Sequence, residues 1–371
     1  MKLEKGQTIC IKIGSSTLLD DSGKLDVAFV RSLCDQVAEL ASRGMSVVIV
    51  SSGAVGCGFG RLGFDKRPTD LATLQACSSA GQALLTETYA EALAAHGIAC
   101  GQVLLTRRDV LSRESYLNAR ATLDRLLELG AVPVVNENDA TSNAEFNFGD
   151  NDMLGAIVST LIDADLYVIM SDIEGLYDED PSKNPNADLI GRVSSVSSEI
   201  FEMAGGAGSG VGTGGMVTKL RAARAMVAAG IPMVICQGRS ANVLVHIADG
   251  QDVGTRFESD DEAHSNPRKL WIGLAGIPRG TLTIDDGALR ALVEDGGSLL
   301  PVGVRDCEGS FEAGDVVDIR SGDATLVARG LVRYSSEEMG QVKGLRLDVI
   351  ARFLPERDGQ PCVHRDEMLL F

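Results

Sequence analysis

Residues 211–219 read "VGTGGMVTK". A glycine-rich run closing on a lysine suggests a loop that cradles phosphate, and the P-loop form of that device is G-x-x-x-x-G-K-[ST]. Here Thr218 precedes Lys219 and Leu220 follows it, so the pattern is not met. The context also differs. A Walker loop lies directly between a strand and a helix, whereas this run follows "MAGGAGSG" (203–210). It leads into a helical stretch, 216–229, that stops at Gly230. The amides of Gly214, Gly215 and their neighbours could therefore face an anion at a helix N-terminus. A lysine in the first helical turn opposes the helix dipole, so Lys219 there calls for a compensating anion. The stretch argues against a P-loop fold, and the fold has to be read from what surrounds it.

Short apolar, β-branched runs occur at 8–13 ("TICIKI"), 46–50 ("SVVIV"), 98–105 ("IACGQVLL"), 132–135 ("VPVV"), 166–170 ("LYVIM") and 232–236 ("PMVIC"). Such runs suit strands buried on both faces. Helical spacing falls between them, at 26–43, 69–96, 115–129, 151–162 and 216–229. In the first of these, Val30, Leu33, Cys34, Val37 and Leu40 share a face, Asp26 suits the N-cap and Gly44 the stop. Alternation of this kind predicts an α/β fold with a mostly parallel sheet flanked by helices on both faces. The rhythm is lost over 251–278. Beyond it, short strands separated by Gly and Asp turns predict a small, mostly β domain. The expected division is a first domain over 1–260, a linker over 261–278 and a second domain over 279–371.

The 371 residues carry a formal net charge of −18, and residues 279–371 hold 11 Lys and Arg against 17 Asp and Glu. Neither balance suits a phosphate backbone as main partner, so RNA or DNA binding is not expected. An anionic ligand would need a local positive exception. The eight cysteines (10, 34, 57, 77, 100, 236, 307 and 362) form no C-x-x-C pair and several lie in apolar runs, as reduced thiols of a cytoplasmic protein would. Four scattered histidines do not suggest a zinc site. No signal peptide and no apolar run long enough to span a membrane is read.

In open parallel sheets, ligands bind beyond the carboxyl ends of the strands, and the unusual residues lie there. Lys12 interrupts an apolar strand and needs an anionic partner. Gly14, Ser15 and Ser16 follow it with amides that could form an anion nest. Ser51, Ser52 and Gly53 follow the second strand as a helix cap would, at a turn where a carboxylate or phosphate could also dock, a weak signal taken alone. Asn136, Glu137, Asn138, Asp139, Asp150, Asn151 and Asp152 crowd into 17 positions. Amides and carboxylates at that density suit an α-amino acid, whose ammonium needs acceptors and whose carboxylates need donors. Hard oxygen ligands for Mg²⁺ are the competing reading. The "SDIEGLYDEDPSKNP" that follows the fifth strand reads as a hairpin excursion that could also wall a nucleotide.

Taken in order, "IKIGSS", "VSSGAVGCG", "QVLLTRRD", "LNARATL", "VPVVNENDA", "FGDNDMLGA", "SDIEGLYDEDP" and "GTGGMVTK" resemble the amino-acid kinase family over about 260 residues. "GSLLPVGV", "GSFEAGDVVDI" and "ARGLVRYSSEE" resemble a PUA domain. The resemblance implies ATP-dependent phosphorylation of the γ-carboxylate of L-glutamate to L-glutamyl 5-phosphate, the first step of proline biosynthesis. ATP and Mg²⁺ are the implied cofactors, with no protein ligand assigned to the metal. By motif, Lys12 would contact the ATP phosphates, and Ser52, Asp139 and Asn151 would bind glutamate. Ser171 and Asp172 would lie at the nucleotide with Thr213, Gly214, Gly215, Met216, Val217, Thr218 and Lys219. Asp150 would organise the catalytic lysines, and Lys219 would stabilise the transferring phosphoryl group. Two departures are visible: Ser171 stands where Thr is common, and Val217 where Ser is frequent. The resemblance further implies feedback inhibition by L-proline and a homotetramer.

The chemistry is consistent with few catalytic side chains. A carboxylate nucleophile with a pKa of about 4.3 is already ionised at neutral pH, so no general base is needed. Positioning and charge neutralisation remain. Rival readings are family members acting on aspartate, acetylglutamate, carbamate or a nucleoside monophosphate, and RNA binding through the C-terminal domain. That domain is expected to be structural or regulatory.

Overall fold

The computed structural model describes residues 2–20, 22–106, 109–110, 112–142, 151–181, 183–184, 186–203, 215–259 and 278–370. The chain divides into two compact units, Met1–Ala263 and His264–Phe371.

The first unit is built on eight strands: β1 (Thr8–Ile13), β2 (Ser46–Val50), β3 (Cys100–Leu105), β4 (Val132–Glu137), β5 (Leu166–Ser171), β6 (Arg192–Val193), β7 (Met233–Gln237) and β8 (Thr255–Phe257). Their order across the sheet is β3-β4-β2-β1-β5-β7-β8-β6. Strands β3 through β7 in that order are mutually parallel. β8 runs antiparallel to β7, and β6 pairs parallel to β8. The mostly parallel sheet is as the sequence predicts. The two short strands β6 and β8 were not anticipated, because two or three residues carry no readable period. β4 also runs two residues further than the apolar run, so Asn136 and Glu137 belong to the strand end and not to a loop.

Strand alternation sorts the side chains of β1. Ile9, Ile11 and Ile13 join a core cluster with Val30, Leu33, Val37 and Leu40 of the helix Val27–Ser42. That helix begins as expected, with the Asp26 side chain accepting from the Phe29 amide. Cys10 and Lys12 must then face the other side. The thiol of Cys10 contacts the carbonyl of Gly155 at 3.7 Å, which places the helix Asn151–Leu161 over that face. This helix lies close to the sheet because residue 155 is glycine: a Cβ there would stand 2.2 Å from the Tyr167 hydroxyl of β5. Burial pushes the Cys10 thiol up to about 12, so it is a packing group and not a nucleophile.

The second unit is a five-stranded sheet, ordered β10-β9-β11-β12-β13, from β9 (Gly280–Ile284), β10 (Val304–Gly309), β11 (Val316–Arg320), β12 (Leu326–Val332) and β13 (Val363–Leu370). β9 and β11 pair parallel and the other pairs are antiparallel. Its own core includes Leu282, Val317, Ile319, Tyr334 and Met339. The helix Ser336–Val342 starts in a full capping box between Ser335 and Glu338.

Candidate active site

The carboxyl ends of β1, β2, β4 and β5 bring the polar residues together. Lys12 is 5% exposed, between Val50 of β2 and Ile169 of β5 in the register. Its ammonium is bonded to the carboxylate of Asp152, one turn before Gly155 on the helix face that covers β1. The other oxygen of Asp152 meets the ammonium of Lys219 at 3.4 Å and accepts from the Thr218 hydroxyl at 3.1 Å. Asp152 is fully buried, and Lys219 is 5% exposed. Lys219 and Thr218 lie in the first turn of the helix Met216–Ala228, whose N-cap is Gly215. The anion that a lysine at that position calls for is therefore Asp152.

Asp150, the carboxylate expected to organise the lysines, lies outside the described residues, as do Thr213 and Gly214. Among the described residues Asp152 holds both lysines. The sequence placed Asp152 in the polar cluster without giving it this role. The helical spacing of Asp152 and Gly155, set against the alternation of Cys10 and Lys12, was the signal that could have found it.

A second group centres on Asn151. Its amide nitrogen donates to the Ser51 carbonyl at 2.7 Å, to the Ser52 hydroxyl at 3.0 Å and to the Asn136 side-chain oxygen at 2.9 Å. Ser52 and Asn151, both expected at the substrate, are thus in direct contact. The alternative reading of "SSG" as a side-chain cap is not realised. The helix Ala54–Phe59 has Gly53 as N-cap at φ 86°, with no side-chain hydrogen bond. That backbone angle favours glycine, and the turn leaves Ser52 to meet Asn151.

Asp139 stands in a cavity of about 300 Å³ lined with Ser78, Gln82, Gln102 and Glu137, among others. The Ser78 hydroxyl donates to it at 2.6 Å. Burial raises the Asp139 pKa above the usual carboxylate value, against opposing effects from Ser78 and Arg67. Ser171 closes β5 beside Gln237 of β7, and its hydroxyl donates to Asp172 at 3.0 Å. Ser171 is buried and Asp172 exposed, while Met216 and Val217 are half-buried at the start of their helix. Among the described residues no group of three His, Cys, Asp or Glu side chains is placed to hold a metal ion. Among them, too, no helix is long and apolar enough to cross a membrane.

The arrangement is a buried carboxylate holding two lysines next to a cradle of amides and hydroxyls. It can neutralise charge that develops on a transferring group. The amino acid kinase family model matches residues 7–237, 231 positions that include both lysines and every residue of the amide cradle. This chain belongs to the amino acid kinase family. A PUA domain model matches residues 280–354, which span most of the second unit. Among full-length relatives of the same family, the glutamate 5-kinase of Bifidobacterium adolescentis is 43% identical over 370 residues, covering 99% of this chain and 97% of its own. That of Pelobacter propionicus is 43% identical over 366 residues, with coverage of 99% and 98%. That of Streptomyces avermitilis is 45% identical over 371 residues, with coverage of 99% and 97%.

Proposed function

We propose that the protein transfers the γ-phosphoryl group of ATP to the γ-carboxylate of L-glutamate, releasing ADP and L-glutamyl 5-phosphate, as the first step of proline biosynthesis. The observation that carries the reading is the buried Lys12–Asp152–Lys219 bridge. Two ammonium groups in a nearly dry site have functional value if an anion arrives that is larger than one carboxylate, and a phosphoryl group in flight is such an anion. The names of the full-length relatives support glutamate as acceptor.

The γ-carboxylate attacks in line. One carboxylate oxygen forms the new P–O bond as the bond to the β-phosphate oxygen breaks, and the electron pair leaves on ADP. The nucleophile is ionised at neutral pH, so no proton has to be removed. Lys12 contacts the ATP phosphates, and Lys219 stabilises the equatorial oxygens. Asp152 holds the two ammonium groups apart at a fixed position, and Asp150 adds to this charge balance. Ser52, Asp139 and Asn151 bind the amino acid. Ser171, Asp172 and residues 213–219 line the nucleotide. Mg²⁺ bound with ATP would offset charge on the phosphates, whose hard oxygens suit it. The division at 260 and 279 separates this kinase domain from a PUA-like domain with a structural or regulatory part. Inhibition by L-proline, a homotetrameric assembly and a cytoplasmic location complete the reading.

The test is ADP release with ATP and a panel of acceptors, with hydroxylamine trapping of the acyl phosphate. Glutamate should be preferred over aspartate, acetylglutamate, carbamate and UMP, and added proline should lower the rate. Equal turnover of another acceptor would sink the assignment.

A further inference from the structure

The amide groups beside the lysine bridge form a chain whose direction is set by two backbone groups. The backbone amide of Glu137 donates to the Asn136 side-chain oxygen at 2.9 Å. A backbone N–H cannot accept, so this contact fixes which end of the Asn136 amide is oxygen. The Asn136 nitrogen must then point the other way, and it donates to the Gln82 oxygen at 2.8 Å. That orients Gln82 in turn. Its nitrogen donates to the Thr86 hydroxyl at 3.1 Å, which also accepts from Gln102 at 3.0 Å. At the opposite end, the Ser51 carbonyl can only accept, so the Asn151 atom 2.7 Å away is its nitrogen. Both hydrogens of that nitrogen are taken up by three protein acceptors. Among the described residues the oxygen of Asn151 keeps capacity for a ligand.

We infer that Gln82 is a positioning residue for the amino-acid substrate. Through Asn136 it holds in place the Asn151 amide, whose nitrogen the Ser51 carbonyl already claims, so that the Asn151 oxygen serves as an acceptor for the α-ammonium group. Gln82 is 7% exposed and Asn136 2% exposed, so the hydrogen bond between them is largely shielded. The inference rests on the reading that Asn151 meets the amino acid.

The test is steady-state kinetics on the full chain. In Gln82→Leu the Asn136 nitrogen loses its acceptor, and the KM for glutamate should rise about tenfold, the scale of one buried hydrogen bond. The KM for ATP and kcat should stay within about twofold, a split that a general loss of structure would not produce. Gln82→Glu keeps an acceptor towards Asn136 and should recover most of the affinity. Thr86→Val removes the acceptor of the Gln82 nitrogen and should show the same split at about threefold; it serves if the leucine variant does not fold. An unchanged glutamate KM in Gln82→Leu, a parallel rise in the ATP KM, or a glutamate variant as poor as the leucine one would overturn the inference. Wild-type protein without glutamate-dependent ADP release would instead overturn the functional reading on which it rests.

Discussion

Two aspartates in this chain each hold two cations, and they differ in depth and in how they were assembled. Asp318 lies on β11 opposite Arg329 of β12, and Arg320 stands two residues further along the same strand. Arg329 reaches it at 2.7 Å and Arg320 at 3.3 Å, with the guanidinium side chains 21% and 39% exposed. A hairpin register builds that cluster from neighbours, and water screens its outer part. Asp152 is fully enclosed, and its lysine side chains are each 6% exposed. They come from a strand 140 residues before it and a helix 67 residues after it. Arginine forks suit a fixed carboxylate, whereas lysines are point charges that can turn to another anion. The first cluster reads as a structural tie, the second as a charge reserve.

The strongest way to break that contrast is Asp152→Asn. It removes the counter-charge that two buried ammonium groups share and should cost up to about 3–5 kcal/mol, read as a lower urea midpoint for the first unit. Lys219→Ala comes next. It should lower kcat by about a hundredfold or more while the glutamate KM changes little; the reverse pattern would remove Lys219 from the transferring phosphoryl group. Asp318→Asn should cost only about 1–2 kcal/mol and leave kcat unchanged. A loss as large as that of Asp152→Asn would erase the distinction between the two clusters.

A third carboxylate gives a smaller effect, read through pH. Burial raises the Asp139 pKa. Its neutral form is therefore favoured in the folded protein, and the cost of ionising it is felt as pH rises through the unfolded and then the folded value. Asp139→Asn should remove that cost and slightly stabilise the protein at neutral pH. Binding of an ammonium group needs the ionised form, so kcat/KM for glutamate should fall on acidification from a point above the ordinary aspartate value. In Asp139→Asn that limb should retreat to the one set by the substrate's own γ-carboxyl, at about 4.3. An acid limb at the same pH in both proteins would exclude Asp139 from the ammonium site.

Much of this was legible in order along the chain. The six long strands of the first sheet and the helices between them follow from apolar runs, helical spacing and punctuation at Asp26, Gly44 and Gly230. Lys12 stands out because a cation in an apolar strand is costly without a partner, and Lys219 because it stands at the wrong end of a helix dipole. The polar cluster 136–152 stood out by density alone. The strands β6 and β8 were not legible, being too short to carry a period. The cap reading of Ser51 and Ser52 gave way to Gly53, because a glycine at φ 86° makes the turn and releases the serine for Asn151.

The sequence by itself determined which residue types would need partners, since desolvation penalties and helix dipoles are properties of a residue and its local element. It also determined the order of those elements. Only the tertiary structure decided that Asp152 joins two lysines lying on either side of it in sequence, and that Gln82 reaches Asn151 through Asn136. The reason is geometric. A partner across 140 residues depends on which faces of a strand and a helix are pressed together, and here a glycine at 155 sets that approach.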